Sequence, residues 1–291
     1  MHIYCITVSP DNLTLVSGSL NSTAVVCDIR SGRVLRRLEG HRGGLRSVAY
    51  SPDGLLVATG SRDCSVKIWE ASTGACRLSL DLSETVYNIV FSIDGSRLAV
   101  STLTTNFLYD LRSRTPRPLR EGPTRYDGRA RGARAMSLQG DRVIARNAKK
   151  AEIWSAVTGE QLLELTEHAE NILSVAFSPD GAEVAIAADD RTVVVYDSWT
   201  GQRRQVHEMS LGAHSVAYSP EGDLIAMGDY SGRIRVCDAK SGTFVADFER
   251  RIGPISGHEL QFTADPRSLL SRSDSNATIH MWNIRDVMRI R

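Results

Sequence analysis

His41, Ser61 and Asp63 place an imidazole, a hydroxyl and a carboxylate close together in the chain. These are the residue types of a nucleophile, a general base and its orienting acid. A catalytic serine must face a substrate cleft. Ser61 instead closes an apolar alternation, Leu55–Gly60, which buries it, so the set reads as structural. The seven histidines (2, 41, 168, 207, 214, 258, 280) show neither HExxH nor paired metal-ligand spacing. No EF-hand loop is present. Phosphate-cradling glycine loops need a strand-to-helix context, and no helix is expected. The reading is therefore a non-enzyme with no catalytic residue, no cofactor and no metal.

A second set is cationic. The stretch Arg112–Arg134 holds eight arginines (Arg112, Arg114, Arg117, Arg120, Arg125, Arg129, Arg131, Arg134) against Glu121 and Asp127. Such a run can neutralise phosphates or an acidic protein segment. Its one aromatic, Tyr126, gives base stacking little support. Pro116, Pro118 and Pro123 interrupt it. It reads as a basic connection that replaces a strand, with partner binding as the alternative.

The elements that must position these residues follow from composition and repetition. The chain has 291 residues, 42% hydrophobic and 24% charged, which suits a large globular core. Lys plus Arg number 35 and Asp plus Glu 34, a formal charge of +1. That balance argues against nucleic acid or an anionic membrane as partner. No apolar run approaches the ~18 residues of a membrane span. The N-terminus reaches Ser9-Pro10-Asp11 too soon for a signal peptide. Cys5, Cys27, Cys64, Cys76 and Cys237 are an odd set without a CxxC pair, as expected of reduced thiols in the cytoplasm or nucleus.

One block recurs: an apolar alternation followed by Ser-Pro-Asp-Gly. It reads Val48-Ala49-Tyr50-Ser51-Pro52-Asp53-Gly54, then Val175–Gly181, then Val216-Ala217-Tyr218-Ser219-Pro220-Glu221-Gly222. Weaker copies begin at Val8, Ile89 and Leu260, and the poorest lies near Ala135-Met136-Ser137. A second alternation follows each, ending at Cys27, Trp69, Tyr109, Trp154, Tyr196, Cys237 and Trp282, spaced 42, 40, 45, 42, 41 and 45 residues apart. Each period holds four short alternating runs split by turn signals. Period-two alternation marks half-buried strands, and Asp-Gly between two runs marks a hairpin. A four-stranded meander cannot bury its faces alone, but stacked copies can. Four strands in ~40–45 residues make a propeller blade.

On these residues the chain resembles the WD-repeat family. The resemblance implies an all-β fold: a single seven-bladed propeller of four-stranded antiparallel blades, at about 1–39, 40–80, 81–122, 123–166, 167–206, 207–248 and 249–291. It also implies a buried hydrogen-bond network in each blade, linking a histidine, a second-strand hydroxyl, a turn aspartate and a third-strand tryptophan. His41, Ser61, Asp63 and Trp69 match in full. Around His168 only Asp190 remains, with Ala188 and Tyr196 in the other places. Cys27 and Cys237 stand where tryptophan would and read as small core residues. Since His2–Val8 already matches a first strand, the ring closes by packing alone, or takes a strand from a partner, or the chain is a piece of something longer.

Partners of such a ring dock on one rim. By register that rim receives His2, Tyr4, Leu20, Arg46, Arg62, Thr85, Tyr87, Asn147, Asn171, Leu173, Asp189, His214, Tyr230 and His258. Tyr4, Arg46, Arg62, Tyr87 and Tyr230 are the types that dominate interface energetics, with Asn171, Asp189, His214 and His258 as polar contacts. The expected function is a non-catalytic scaffold or adaptor for proteins or peptides, of open oligomeric state. Two alternatives stand beside it. Tyr109-Asp110-Leu111-Arg112 is similar to the docking motif of substrate receptors of cullin–RING ubiquitin ligases. The repeated Ser-Pro-Asp-Gly blocks resemble regulatory propellers of larger signalling proteins.

Overall fold

In a computed structural model the alternating runs are strands. It describes residues 3–92, 94–102, 106–112, 115–119, 135–136, 141–147, 149–155, 158, 160–248, 260–263, 265, 267–273 and 278–284. Among these, 27 elements are described, all of them β-strands.

The first sheet is β1 (Ile3–Val8), β2 (Thr14–Ser19), β3 (Ala24–Asp28) and β4 (Val34–Leu38). The second is β5 (Leu45–Tyr50), β6 (Leu56–Ser61), β7 (Ser65–Glu70) and β8 (Cys76–Asp81). The third is β9 (Asn88–Phe91), β10 (Arg97–Ser101), β11 (Asn106–Asp110) and β12 (Thr115–Leu119). The fourth is β13 (Ala135–Met136), β14 (Arg142–Asn147), β15 (Lys150–Ser155) and β16 (Gln161–Leu165). The fifth is β17 (Ile172–Phe177), β18 (Glu183–Ala188), β19 (Thr192–Asp197) and β20 (Arg203–Glu208). The sixth is β21 (Ala213–Tyr218), β22 (Leu224–Asp229), β23 (Ile234–Asp238) and β24 (Phe244–Phe248). The seventh, among the described residues, is β25 (Leu260–Phe262), β26 (Ser268–Ser273) and β27 (Thr278–Asn283). Every sheet is an antiparallel meander in chain order.

The strands divide between two compact units. The first holds β1 to β12, the second β13 to β27. Within each unit the first strand of one sheet lies against the first strands of its neighbours, β1 beside β5 beside β9, and β17 beside β21 beside β25. The apolar cores lie between successive sheets. In the first unit Cys5, Val16, Val26, Leu45, Val57 and Trp69 fill one such layer. Ala58, Val66, Ile89, Leu98 and Tyr109 fill the next. Burial of each valine, leucine or isoleucine among them stabilises by about 1.5–3 kcal/mol.

The repeated Ser-Pro-Asp-Gly blocks are tight hairpins. The Ser51 hydroxyl donates to Asp53 at 2.6 Å and accepts the Leu56 N–H at 2.9 Å. The Gly54 N–H closes the turn on the Ser51 carbonyl, and its φ of +72° is one that side-chain-bearing residues resist. Where Glu221 replaces the aspartate, Asp223 takes the Ser219 hydroxyl instead, at 2.6 Å.

A second repeated contact joins neighbouring sheets. The Ser47 hydroxyl oxygen accepts the N–H of Ile89 at 3.1 Å. Ser174 does the same for Val216 at 3.3 Å and Ser215 for Leu260 at 3.0 Å. Gly60 allows the close approach this needs: a Cβ there would sit 2.5 Å from Val86 Cγ1.

The third sheet departs from the sequence expectation. The basic run from Arg112 does not replace the fourth strand of the third sheet. Thr115–Leu119 forms that strand, β12, paired with β11 through Tyr109–Pro116 and Phe107–Pro118. Both prolines lie on the same alternation of a strand at the end of its sheet. There the missing N–H groups face away from the ladder, so the strand tolerates them.

Candidate docking site

Four of the rim positions prove to be backbone irregularities. The pairing of the first and second strands shifts register between Ile3 and Cys5, Leu45 and Ser47, Ile172 and Ser174, and Ala213 and Ser215. The extra residues are Tyr4, Arg46, Leu173 and His214. Each leaves the ladder and re-aims its side chain, the usual effect of a β-bulge. Tyr87, at the matching place in the third sheet, just precedes β9 and gives its N–H to the Ser101 carbonyl at 2.8 Å.

In the first unit these bulges bring three predicted residues together. The Arg46 guanidinium carbon lies 4.5 Å from the Tyr4 ring centre and 5.7 Å from that of Tyr87. Arg46 is only 9% exposed, and its Nε and Nη1 are buried without a hydrogen-bond partner. Arg62 is exposed on the adjacent β6–β7 turn, where its N–H meets the Gly44 carbonyl at 2.9 Å and its carbonyl accepts the Thr85 hydroxyl at 3.4 Å.

In the second unit Asp189, His214 and Tyr230 gather. The Tyr230 phenol and the Asp189 carboxylate lie close enough for each to shift the other's titration. Burial and the neighbouring carboxylate push the Tyr230 phenol up to about 12. Burial likewise raises Asp189, against the neighbouring Tyr230 hydroxyl, which favours its charged form. The His214 and Tyr230 rings lie 5.2 Å apart. Asn171 contributes its carbonyl, which accepts the Asp189 N–H at 2.9 Å. The structure therefore joins the rim positions into two side-chain clusters, one in each unit.

His2, His258, Arg114, Arg120, Arg125, Arg129, Arg131 and Arg134 lie outside the described residues. Arg117 falls within β12 and Asn147 ends β14. Arg112 is exposed, and its backbone N–H is held by the Asp110 carboxylate at 2.8 Å. That bond gives the Asp110-Leu111-Arg112 sequence a local role in shaping the turn after β11.

The buried network around Trp69 exists, with one member changed. His41 Nδ1 donates to Asp63 Oδ2 at 2.9 Å, and His41 Nε2 meets Thr59 Oγ1 at 2.7 Å. The Trp69 indole N–H donates to the same Thr59 oxygen at 2.8 Å. The expected Ser61 is not part of this chain. Trp69 pairs with Val57 across the strands, so the nearest hydroxyl on its face is two residues along, at Thr59. Ser61, two further, donates to the Gly43 carbonyl at 2.7 Å and ties down the loop before β5. The last sheet repeats the pattern, with the Trp282 indole donating to Ser271 at 2.7 Å. In the fifth sheet His168 binds Asp190 at 2.9 Å, but Ile186 stands where Thr59 would, and His168 Nε2 is buried without a partner. Cys237 is buried against Met227, an apolar substitute for the indole and hydroxyl pair. Cys27 is half-buried. All five cysteines are thiols. No cluster of metal-ligating side chains occurs among the described residues.

Two arginines escaped the sequence reading. Arg142 and Arg146 on β14 are 1% and 3% exposed. Arg142 donates to the Ser198 carbonyl and hydroxyl at 3.1 and 2.7 Å and to the Gly181 carbonyl at 2.9 Å. Its guanidinium also stacks on Trp199 at 3.6 Å. Arg146 donates to the Ile172 carbonyl. The signal was available: both arginines share one alternation of β14, Arg142-Val143-Ile144-Ala145-Arg146. No helix among the described residues is long and apolar enough to cross a membrane.

Comparison with known proteins agrees with this geometry. The WD40 model (WD domain, G-beta repeat) matches residues 1–28, 32–70 and 159–197. The chain is 25% identical to eukaryotic translation initiation factor 3 subunit I of Debaryomyces hansenii, over 84% of this chain and 78% of that protein. It is 27% identical to the same subunit of Emericella nidulans, over 78% of this chain and 74% of that protein. Among solved structures, the Cps50 β-propeller domain of Myceliophteria thermophila superposes with a TM-score of 0.83 at 18% identity, covering 97% of this chain and 96% of that one. The chain carries WD40 repeats over those three stretches, and its fold, seven small antiparallel sheets, is that of a β-propeller.

Proposed function

We propose that the chain is a non-catalytic scaffold that holds protein partners against its bulged first strands. The observation that carries the proposal is the recurrence of one backbone irregularity with four different side chains: Tyr4, Arg46, Leu173 and His214. A rigid sheet that presents a different chemistry at the same place in each repeat is suited to recognition. The polar sets elsewhere have structural work: His41, Asp63 and Thr59 hold Trp69. The relatives are, by name, one subunit of a translation initiation factor. We infer a similar place for this chain: a propeller subunit of an intracellular assembly, working in the cytoplasm with the initiation machinery.

The test is affinity capture of the intact tagged chain from its own cells, beside an Arg62→Ala/Tyr87→Ala/Tyr230→Ala variant. The expected result is a defined set of proteins, initiation-factor subunits among them, recovered by the parent and lost by the variant. Recovery of the same set by both would overturn the docking role of these positions. Recovery of none by the parent would overturn the scaffold.

A further inference from the structure

A buried cation ordinarily has a carboxylate or a set of carbonyls against it, because an uncompensated charge out of water is costly. Arg46 has neither. Its Nε and Nη1 are buried without a hydrogen-bond partner, and the side chain is 9% exposed. The faces of Tyr4 and Tyr87 offset part of the cost through their negative quadrupoles. Ring faces leave the in-plane N–H donors unused.

Two acids of the surrounding segments are already engaged. Asp63 is bound by His41, by Ser65 and by the Arg42 N–H. Glu84 accepts the Thr102 hydroxyl at 2.6 Å. Of the other charged side chains that the neighbouring loops expose, Arg42 and Arg62 are cationic and Glu39, at the far end of the β4–β5 loop, is anionic. The patch thus has a planar cation against two aromatic rings, two exposed arginines on the adjoining loops and an acceptor missing.

We propose that Arg46 is the recognition point for a carboxylate side chain on an acidic, extended segment of a partner protein. The planar fork of a guanidinium matches a planar carboxylate. The two tyrosines fix the plane of that fork in advance, which spares the ordering cost a free arginine would incur on binding. Arg62 then meets a second acid along the segment. The inference rests on the scaffold reading and names the partner chemistry for the first unit.

The test uses the intact chain and an acetylated hexaglutamate peptide, with hexaglutamine as the neutral control. Binding is followed by calorimetry at low salt and by the nuclear magnetic resonance signal of the Arg46 Nε–H. The expected result is hexaglutamate binding that moves this signal, no binding of hexaglutamine, and a loss of about tenfold or more in Arg46→Met. Arg46→Lys, which keeps the charge and loses the fork, should recover only part of the affinity. Arg46→Met should melt no lower than the parent, because it removes an unpartnered buried charge.

Equal hexaglutamate affinity in Arg46→Met would overturn the proposal. So would a large fall in its melting temperature, which would make Arg46 a structural post. An Arg46 signal moved as readily by inorganic phosphate would overturn the carboxylate class. If the parent captures partners from cells yet never binds hexaglutamate, this inference fails while the scaffold reading stands.

Discussion

Thr59 accepts the indole N–H of Trp69 at 2.8 Å and lies 2.7 Å from His41 Nε2. One arrangement of protons gives every atom a role. The imidazole is neutral, its Nδ1–H donates to Asp63, and its Nε2 accepts the Thr59 hydroxyl proton. The chain of bonds then runs from the tryptophan on the third strand to the aspartate of the β6–β7 turn, entirely inside the sheet.

Thr59→Val keeps the shape and removes the hydroxyl, stranding a buried donor and a buried acceptor. The expected cost is about 2–3 kcal/mol. Thr59→Ser retains the hydroxyl and should lose less than half of that. Urea denaturation of the parent and both variants checks it. Equal losses would show that packing of the methyl, not the hydrogen bonds, holds this site.

The fifth sheet offers a built-in comparison. His168 keeps its bond to Asp190 but has no partner at Nε2. Replacing it should therefore cost less than replacing His41. His168→Leu is expected to be about 1 kcal/mol or more less damaging than His41→Leu, measured by chemical denaturation under the same conditions.

Acid should weaken the second sheet in two stages. Burial lowers the His41 pKa in spite of its bond to Asp63, so the unfolded chain takes up its proton first. Stability from this group is complete above about pH 6.5 and falls as pH drops through that value. Burial alone would raise Asp63, but the bonds from Ser65, the Arg42 N–H and His41 outweigh it and hold the carboxyl well below the usual range. Its contribution is complete above about pH 4 and is lost below. Melting temperatures from pH 8 to 3 should be flat at first, decline from about 6.5 and steepen below about 4. Asp63→Asn should melt lower throughout and steepen less than the parent below about pH 4, the other aspartates with lowered pKa values keeping the remainder.

Arg142 clamps two turns of the neighbouring sheet through Ser198 and Gly181. Arg142→Met preserves much of the volume and strands those acceptors, an expected cost of about 2–4 kcal/mol. Arg142→Lys cannot reproduce the fork and should recover little. Because the guanidinium covers Trp199, loss of this contact should also change tryptophan emission before any unfolding.

The fold was legible because its signals are local and repeated. Alternation gives strands, and Ser51-Pro52-Asp53-Gly54 is a hairpin whose hydroxyl, carboxylate and left-handed glycine each have a bond or angle to satisfy. Strand β12 was hidden because Pro116 and Pro118 read as breakers, and only its place at the end of the sheet makes them harmless. Thr59 and Ser61 share a face, so alternation could not say which hydroxyl meets the indole. That depended on the pairing of Trp69 with Val57. The rim was found by register, but not the burial of Arg46, since the bulge and the two flanking rings come from three different sheets.

The serine contacts at Ser47, Ser174 and Ser215 reach across one full repeat, to Ile89, Val216 and Leu260. These three sheets each spend a hydroxyl on the backbone of the one that follows. Stability in such an array resembles a row of dominoes: each member stands partly on its own bonds and partly on its neighbour. A serine lost at one junction leaves the strands of both sheets intact while loosening their coupling. Hydrogen exchange in a Ser174→Ala variant should therefore quicken first at Val216, one repeat downstream of the change, and not within β17 itself.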